Sequence, residues 1–222
     1  MGRRCRSLFA CVYVWSVWSL LVVLLAPRLA VSQTADAIHF RWAFVSRAGA
    51  TTAPKLLTQD TVLHTGEQFK IWVQLQRPCF VYVLYHSAGQ SVDLLFPATL
   101  QQFDTDYVPG KPYTMPAKGG WYTLTPPAGR ETLYVLASAT RLTALEALLG
   151  AAATAPPAQR PALTPRILAA IRTLRPGGPV ATAGERPVRI GGTVRGTTDL
   201  GDVAVEVQAQ TFYSKTLTIE HR

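Results

Sequence analysis

Hydrophobic and polar positions alternate along most of residues 38–138. In residues 38–45 every second side chain is large and apolar, a period that is typical of a strand with one buried face. Residues 69–75 repeat this pattern and predict another half-buried strand. Residues 79–85 are apolar on both faces, so we predict a central strand that is covered on each side.

Turn-forming residues separate these strands from shorter ones. Residues 87–90 supply a turn and residues 91–96 return as a strand, which predicts a hairpin. Further strands are predicted at 121–125 and 132–137. The proline-rich stretch at 97–116 is expected to be loop, with room for one short edge strand, because proline removes a ladder donor. This series of short strands is typical of a sandwich or an open barrel, and we predict a mainly β fold, an immunoglobulin-like β-sandwich.

The period changes after residue 140, where two short helices are predicted. Residues 143–146 match a capping box, and we expect the helix that they open to end at Gly150. After an Ala- and Pro-rich connector at 151–162, Thr164 is expected to cap a second helix with Pro165 at its first position. This helix has an apolar stripe at helical spacing, made of Ile167, Leu168, Ile171 and Leu174. The stripe favours a packing face, and a membrane- or partner-binding role for this basic helix is the alternative.

Strand patterns return near the C-terminus, at residues 188–194, 203–208 and 216–219. We expect these strands to pair back onto the first sheet, so that the helices form an insertion in one domain. The predicted organisation is a signal segment at 1–32, a β-sandwich core at 33–140, a helical and Pro-rich insertion at 141–186, and C-terminal strands at 187–222 that complete the same domain.

The N-terminal segment has the composition of an export signal. Three arginines precede an apolar stretch at 8–26, and small residues follow up to Ser32. Cleavage after Ser32 would make residues 1–32 a signal peptide. Because the stretch is also long enough to span a bilayer, an uncleaved inner-membrane anchor formed by residues 7–26 is the alternative. We therefore expect an exported protein of the periplasm or cell surface, with membrane contact only through this segment.

Composition and charge narrow the classes of partner. The formal net charge is +9, but without the first 32 residues it is +5, and no cluster of Lys and Arg is of the nucleic-acid-binding type. We therefore predict no nucleic-acid partner. Cys79 is the one cysteine beyond the signal segment, which excludes an intramolecular disulfide there and predicts a buried, inert thiol.

No catalytic constellation emerges from the polar residues. The histidines are scattered without metal-ligand spacing, so we predict no catalytic residues, no cofactor and no metal. Asp104 and Asp106 share a loop but supply too few oxygens for a calcium site. Glu131 follows a turn and is expected to accept turn amides. An enzyme of unrecognised type would require His86, Asp93 and Glu131 to converge in one cleft.

Four aromatic residues are candidate binding residues. They are Trp72, Tyr113, Trp121 and Tyr122. Trp72 is expected on the face opposite the buried side of its strand, and Trp121 and Tyr122 follow a pair of glycines. An exposed aromatic patch could bind glycan or peptide, and packing beneath the helices is the alternative.

Several short motifs, in their order and spacing, are similar to a known bacterial family. They lie at residues 66–71, 79–83, 95–97, 110–116, 127–131 and 133–138. Residues 62–138 thereby resemble domain-of-unknown-function family 4384. One departure is His86, where an acid is expected before the serine of the turn. The resemblance implies an accessory module of exported or envelope-facing bacterial proteins and brings no set of catalytic residues.

These observations lead to ordered expectations for the function. We expect a non-enzymatic accessory module that binds another envelope protein through a sheet edge or through the basic helix. A glycan- or peptidoglycan-binding domain that uses the four aromatic residues is the alternative, and an enzyme of unrecognised type comes third.

Overall fold

The alternating segments form the strands of two β-sheets. The computed structural model describes residues 37–174, 184–189 and 203–222. In chain order the strands are β1 (Ile38–Arg47), β2 (Lys55–Leu56), β3 (Thr61–Leu63), β4 (Gln68–Leu75), β5 (Phe80–His86), β6 (Val92–Phe96), β7 (Pro112–Met115), β8 (Tyr122–Thr123), β9 (Gly129–Ser138), β10 (Gly184–Arg189), β11 (Val203–Ala209) and β12 (Phe212–His221). The helices are α1 (Gln102–Thr105), α2 (Thr143–Thr154) and α3 (Arg160–Leu174), with a 3-10 turn at Pro157–Gln159.

The two sheets form a sandwich, which confirms the predicted fold class. The first sheet has the order β10-β11-β1-β4-β7, with β2 beside β1 and β8 beside β4. The second has the order β3-β12-β9-β5-β6. The pairs are antiparallel except for β3 with β12. Strand β6 thus ends the second sheet on one side, and β3 ends it on the other.

Aromatic side chains join the sheets in the middle of the sandwich. Phe40 of β1 packs edge-on against Tyr213 of β12, with the ring centroids 5.6 Å apart. Phe69 of β4 approaches Tyr85 of β5 at the same centroid distance. Because each pair takes one ring from each sheet, the burial of these rings holds the sheets face to face.

Strand β5 is covered on both faces, as its uninterrupted apolar sequence predicts. Val81 and Val83 lie in the core between the sheets, whereas Tyr82 and Leu84 pack beneath the two longer helices. The helices contribute four fully buried side chains to this second cluster, namely Leu145, Leu149, Ile167 and Ile171. The predicted apolar stripe of α3 is therefore a packing face.

The prediction of a half-buried strand at 69–75 is wrong. Lys70 and Trp72, on the face that was expected to meet solvent, are each 1% exposed. Trp121 packs in the same cluster as Trp72, and its ring lies 4.5 Å from the Lys70 ammonium and 4.0 Å from the Arg47 guanidinium. Alternation within one strand could not reveal this cover, because Trp121 comes from a loop remote in sequence.

The predicted ends of α2 are also wrong. No side chain caps the helix, and it continues through Gly150 to Thr154, so that part of the predicted connector is helical. The Glu146 carboxylate does not turn back to the helix start because Tyr82 and Arg141 bind it. A stronger tertiary partner has replaced the local cap.

Helix α3 begins earlier than its sequence signals predict. Its first residue is Arg160, which places Pro165 inside the helix rather than at its first position. Thr164 is not the cap. Its hydroxyl donates to the Gln90 carbonyl oxygen at 2.9 Å and so ties the helix to the β5–β6 turn.

The shorter predicted elements are largely confirmed. Strands β5 and β6 form the predicted hairpin, and the proline-rich stretch contains the short edge strand β7 together with the unpredicted α1. At the C-terminal end, β10 and β11 join the first sheet as expected. The last strand is longer than predicted and joins the second sheet instead, between β3 and β9.

Three predictions fall outside the residues that the structure describes. They are the signal segment with its cleavage point after Ser32, the alternative anchor at residues 7–26, and the part of the strand predicted at 188–194 that lies beyond residue 189. Among the helices of the described ranges, none combines the length and the apolar character needed to cross a membrane.

The position of Gly150 inside α2 gives a simple stability test. A Cβ atom at Gly150 would have no heavy atom within 4 Å, so Gly150→Ala is expected to raise the free energy of unfolding by about 0.5–1 kcal/mol through helix propensity. Gly110 offers the same open space but has a φ of +84°, so Gly110→Ala is expected to destabilise by about 1 kcal/mol. Urea unfolding of both variants measures the contrast, and a destabilised Gly150→Ala would contradict the observed length of α2.

Candidate functional site

A groove of about 490 Å³ runs between strand β6 and the helical pair. Val92 and Leu94 of β6 form one wall, residues 98–101 continue it, and Leu149 and Ile167 of the helices form the other. We call this the β6 groove. Its lining combines apolar and polar side chains in nearly equal measure, with one acidic and one basic side chain at Asp93 and Arg160.

The backbone of β6 is open on the side away from β5. Because β6 is the last strand of its sheet, its outer N–H and C=O groups have no strand partner among the described residues. Such an edge can accept a further extended segment by main-chain hydrogen bonding. The opposite edge of this sheet is β3, which has only three residues.

Polar contacts fix α2 over the sheet and so set the shape of the groove. The Tyr82 hydroxyl donates to the Glu146 carboxylate at 2.5 Å and accepts the Leu142 amide at 3.0 Å. Burial and the hydrogen bond to Glu146 raise the pKa of Tyr82 and keep the phenol neutral. Arg141 binds Glu146 through Nε and Nη2, and it binds Asp104 through Nη1.

A second concavity lies between the two sheets and shares Asp93 with the β6 groove. This inter-sheet cleft has a volume of about 400 Å³. Phe69 and Tyr122 reach it from the first sheet, and Tyr85, Asp93 and Glu131 from the second. Asp93 and Glu131 therefore do converge, as the enzyme hypothesis requires, but His86 is not among the residues that line the cleft.

Residues 62–141 match the family model described as Domain of unknown function (DUF4384). Over this segment the chain resembles that family. No curated protein matches the chain. The DUF4384 segment, residues 62–141, runs from β3 through β9 and supplies the strand wall of the groove and the lining of the inter-sheet cleft. Helices α2 and α3 begin after it, so the match does not cover the helical wall of the groove.

A hydrogen-bonded chain with a buried centre at Glu131 and His221 lies behind the cleft and was not anticipated from the sequence. The Glu131 carboxylate accepts the Tyr85 hydroxyl and contacts His221 Nδ1 at 3.0 Å. The other ring nitrogen, Nε2, contacts the Thr65 hydroxyl at 2.9 Å. The expectation that Glu131 accepts turn amides is wrong, because β12 brings His221 beside it. No sequence motif contains both Glu131 and His221, which are 90 residues apart, and His221 lies outside the DUF4384 segment.

The order hydroxyl, imidazole, carboxylate is also that of a hydrolase triad, but the surroundings of Thr65 do not fit acyl transfer. That chemistry requires backbone amides that are available to a developing oxyanion. The Thr65 amide donates to the Arg222 carbonyl at 2.7 Å, and the Gly66 amide donates to the Leu124 carbonyl at 2.9 Å. With both amides engaged, the chain is best understood as a satisfied polar network that joins β9 and β12 to the loop before β4.

The four candidate aromatic residues do not share one surface. Trp72 is buried beneath Trp121, so the expectation of an exposed Trp72 is wrong. Arg47 and Lys70 lie over the Trp121 ring. Tyr113 is 5% exposed in the core, and Tyr122 lines the inter-sheet cleft.

The two aspartates predicted to share a loop, Asp104 and Asp106, already have partners within the protein. Asp104 binds Arg141, and Asp106 binds Lys111. Across residues 37–174, 184–189 and 203–222, no three His, Cys, Asp or Glu side chains gather as a metal site. Cys79 is buried as predicted, and burial raises the pKa of its thiol to about 11, which disfavours the reactive thiolate.

Proposed function

We propose that this protein is an exported, non-enzymatic module of the bacterial cell envelope that binds another envelope protein through the β6 groove. The observation that carries the proposal is the pairing of an open strand edge with an apolar helical wall along one groove. Export is supported by the N-terminal pattern of arginines and apolar residues. An accessory role agrees with the resemblance to DUF4384.

The occupant that this geometry suits is an extended peptide segment of the partner. Main-chain hydrogen bonds to β6 would hold the segment, and every second side chain would face the helices. Leu94, Leu149 and Ile167 lie on that side, so apolar side chains at alternate positions fit best. Because Glu146 and Thr164 tie the helices to the sheet, the groove is formed before the ligand arrives.

The glycan alternative has weaker support. Sugar binding usually needs aromatic faces that are open to solvent, whereas Trp72 and Tyr113 are buried and cations cover Trp121. The peptide groove is therefore our first choice, and the engaged amides beside Thr65 support a non-enzymatic role for the chain of Thr65, His221 and Glu131.

Filling the groove provides the test. Ala153 is exposed on α2 and lines the groove, whereas Ala151 is exposed on the same helix and does not line it. A photo-crosslinking residue at Ser91 would capture the partner in the envelope, and mass spectrometry would define the segment. A synthetic peptide of that segment should bind the purified protein, and Ala153→Arg should weaken binding by at least about tenfold, or 1.4 kcal/mol.

The control variant Ala151→Arg should bind this peptide like the unchanged protein, because arginine is well tolerated in helices. A crosslinking residue at Val62 of β3 serves as the control for the opposite edge. Equal binding by both arginine variants, or capture of the same segment from Val62, would refute the groove as the binding site.

A further inference from the structure

We infer that the inter-sheet cleft binds an organic cation, an ammonium or guanidinium group, between the carboxylate of Asp93 and the aromatic rings of Tyr85 and Tyr122. The inference does not rest on the proposed role of the β6 groove. The two cavities share Asp93, but their other β6 residues differ: Val92 and Leu94, beneath the helices, line the groove, whereas Leu95, between the sheets, lines the cleft.

The charge of the lining points to a cation. Asp93 and Glu131 both line the cleft, and none of the other lining residues is Lys, Arg or His. The rest of the chain is basic, since basic residues outnumber acidic ones by five even without the first 32 residues. A concave site with charge of one sign concentrates ligands of the opposite sign.

The two carboxylates differ in what already binds them. Glu131 is 2% exposed and is held from behind by His221 and Tyr85. Asp93 is exposed, accepts only a hydroxyl hydrogen bond from Ser91 at 2.9 Å, and forms no ion pair with any described residue. The buried carboxylates Glu146 and Glu206, in contrast, have arginine partners. Asp93 is therefore the carboxylate that remains available to a ligand cation.

Aromatic rings from both sheets complete the lining. The centroid of Phe69 lies 5.1 Å from that of Tyr122 and 5.6 Å from that of Tyr85, so the three rings form one continuous cluster. Aromatic rings attract cations through the negative potential of their faces, most strongly where water is partly excluded. Tyr85 is also directly opposite Asp93 in the β5–β6 pair, which places ring and carboxylate side by side.

The ionisation of the phenols agrees with this geometry. Burial, the hydrogen bond to Glu131 and the charges of Glu131 and Asp93 raise the pKa of Tyr85. Burial and the charge of Asp93 raise the pKa of Tyr122. Both rings therefore stay neutral at physiological pH and sense the negative field of the carboxylates.

Titration calorimetry of the full chain with small probes tests the inference. Nα-acetyl-lysine methylamide and the matching arginine compound carry the two cations, and the norleucine compound is a neutral analogue of similar shape. N-acetylglucosamine tests for recognition of a neutral sugar. We expect both cations to bind, the two neutral probes to bind at least about tenfold more weakly, and cation binding to weaken as salt is raised.

Matched variants locate the site. Asp93→Asn should weaken cation binding by at least about tenfold, whereas Asp106→Asn, the same change at an exposed carboxylate outside the cleft, should not. Tyr122→Phe keeps the ring and should keep binding, and Tyr122→Leu should lose it. Thermal unfolding verifies that each variant is folded. Norleucine or sugar binding as tight as lysine binding, or an Asp93→Asn variant that binds normally, would overturn the inference.

An uncharged variant, Ala153→Phe, separates the two cavities experimentally. It fills the β6 groove without adding a charge near Asp93, which lines both cavities, and residue 153 does not line the cleft, so cation binding should be unchanged in it. Loss of peptide binding with retained cation binding therefore tests the two proposals separately.

Discussion

Glu131→Ala is expected to lower the free energy of unfolding by about 3 to 5 kcal/mol, the largest effect that we predict for a single side chain. The carboxylate is 2% exposed and binds both the Tyr85 hydroxyl and the His221 ring. Its removal leaves these two polar groups buried without an acceptor. Urea unfolding followed by tryptophan fluorescence measures the loss.

Two further variants distinguish the network from a general effect of lost charge. Glu220 precedes His221 on β12. Its side chain is 46% exposed and forms an ion pair with Arg130 on the surface. Glu220→Ala should therefore cost less than about 1 kcal/mol. Tyr85→Phe removes one donor and leaves the pair of Glu131 and His221 intact, so an intermediate loss of about 1 kcal/mol is expected. A Glu131→Ala variant no less stable than Glu220→Ala would show that the network contributes nothing.

Glu206→Gln is expected to cost about 3 kcal/mol at neutral pH, and the cost should disappear in acid. Glu206 stands on β11 between Arg41 of β1 and Arg186 of β10, and it binds His39 as well. Burial by itself raises its pKa, but the hydrogen bonds from His39, Arg186 and Arg41 outweigh this and lower the pKa of Glu206 from 4.5 to about 2. Each unit of difference from the unfolded chain is worth about 1.4 kcal/mol.

The sign of this pH dependence follows from the lowered pKa. The ionised form is stabilised in the folded protein, so the contribution is complete above pH 4.5 and is lost as the pH falls towards 2. The difference between the unchanged protein and Glu206→Gln should therefore shrink across this window. Unfolding curves at a series of pH values measure it, with Glu220→Gln as the exposed control. A difference that stays constant down to pH 2 would contradict the ion cluster.

The strands were the most predictable part of the fold. Strand β5 is apolar on both faces and lies between two strands and beneath two helices, as its composition predicts. Strand β4 shows where the same reasoning fails. The alternation of its residues places Lys70 and Trp72 on the face predicted to meet solvent, but both side chains are buried. The alternation of apolar and polar residues is a property of the strand's own sequence. Whether the second face of the strand is buried depends on a remote loop, here the one that carries Trp121.

The helix ends and the candidate sites were the least predictable. Glu146 and Thr164 have the residue types and spacing of helix caps, but they bind Tyr82 and Gln90 instead. Sequence reasoning suggested a sheet edge as a binding site without indicating β6, because the order of strands in a sheet is a tertiary property. It identified Tyr122 as a candidate but not the cleft that Tyr122 shares with Asp93.

The amino-acid sequence by itself determined that this chain forms short strands and two amphipathic helices, because hydrophobic period and turn residues act over a few neighbours. Only the tertiary structure decided which polar side chains meet. The contact between Glu131 and His221 exists because β12 pairs with β9, and the β6 groove exists because the helices settle beside an unpaired edge. A polar side chain has several possible hydrogen-bond partners, and the pairing of strands in the tertiary structure determines which of them it contacts.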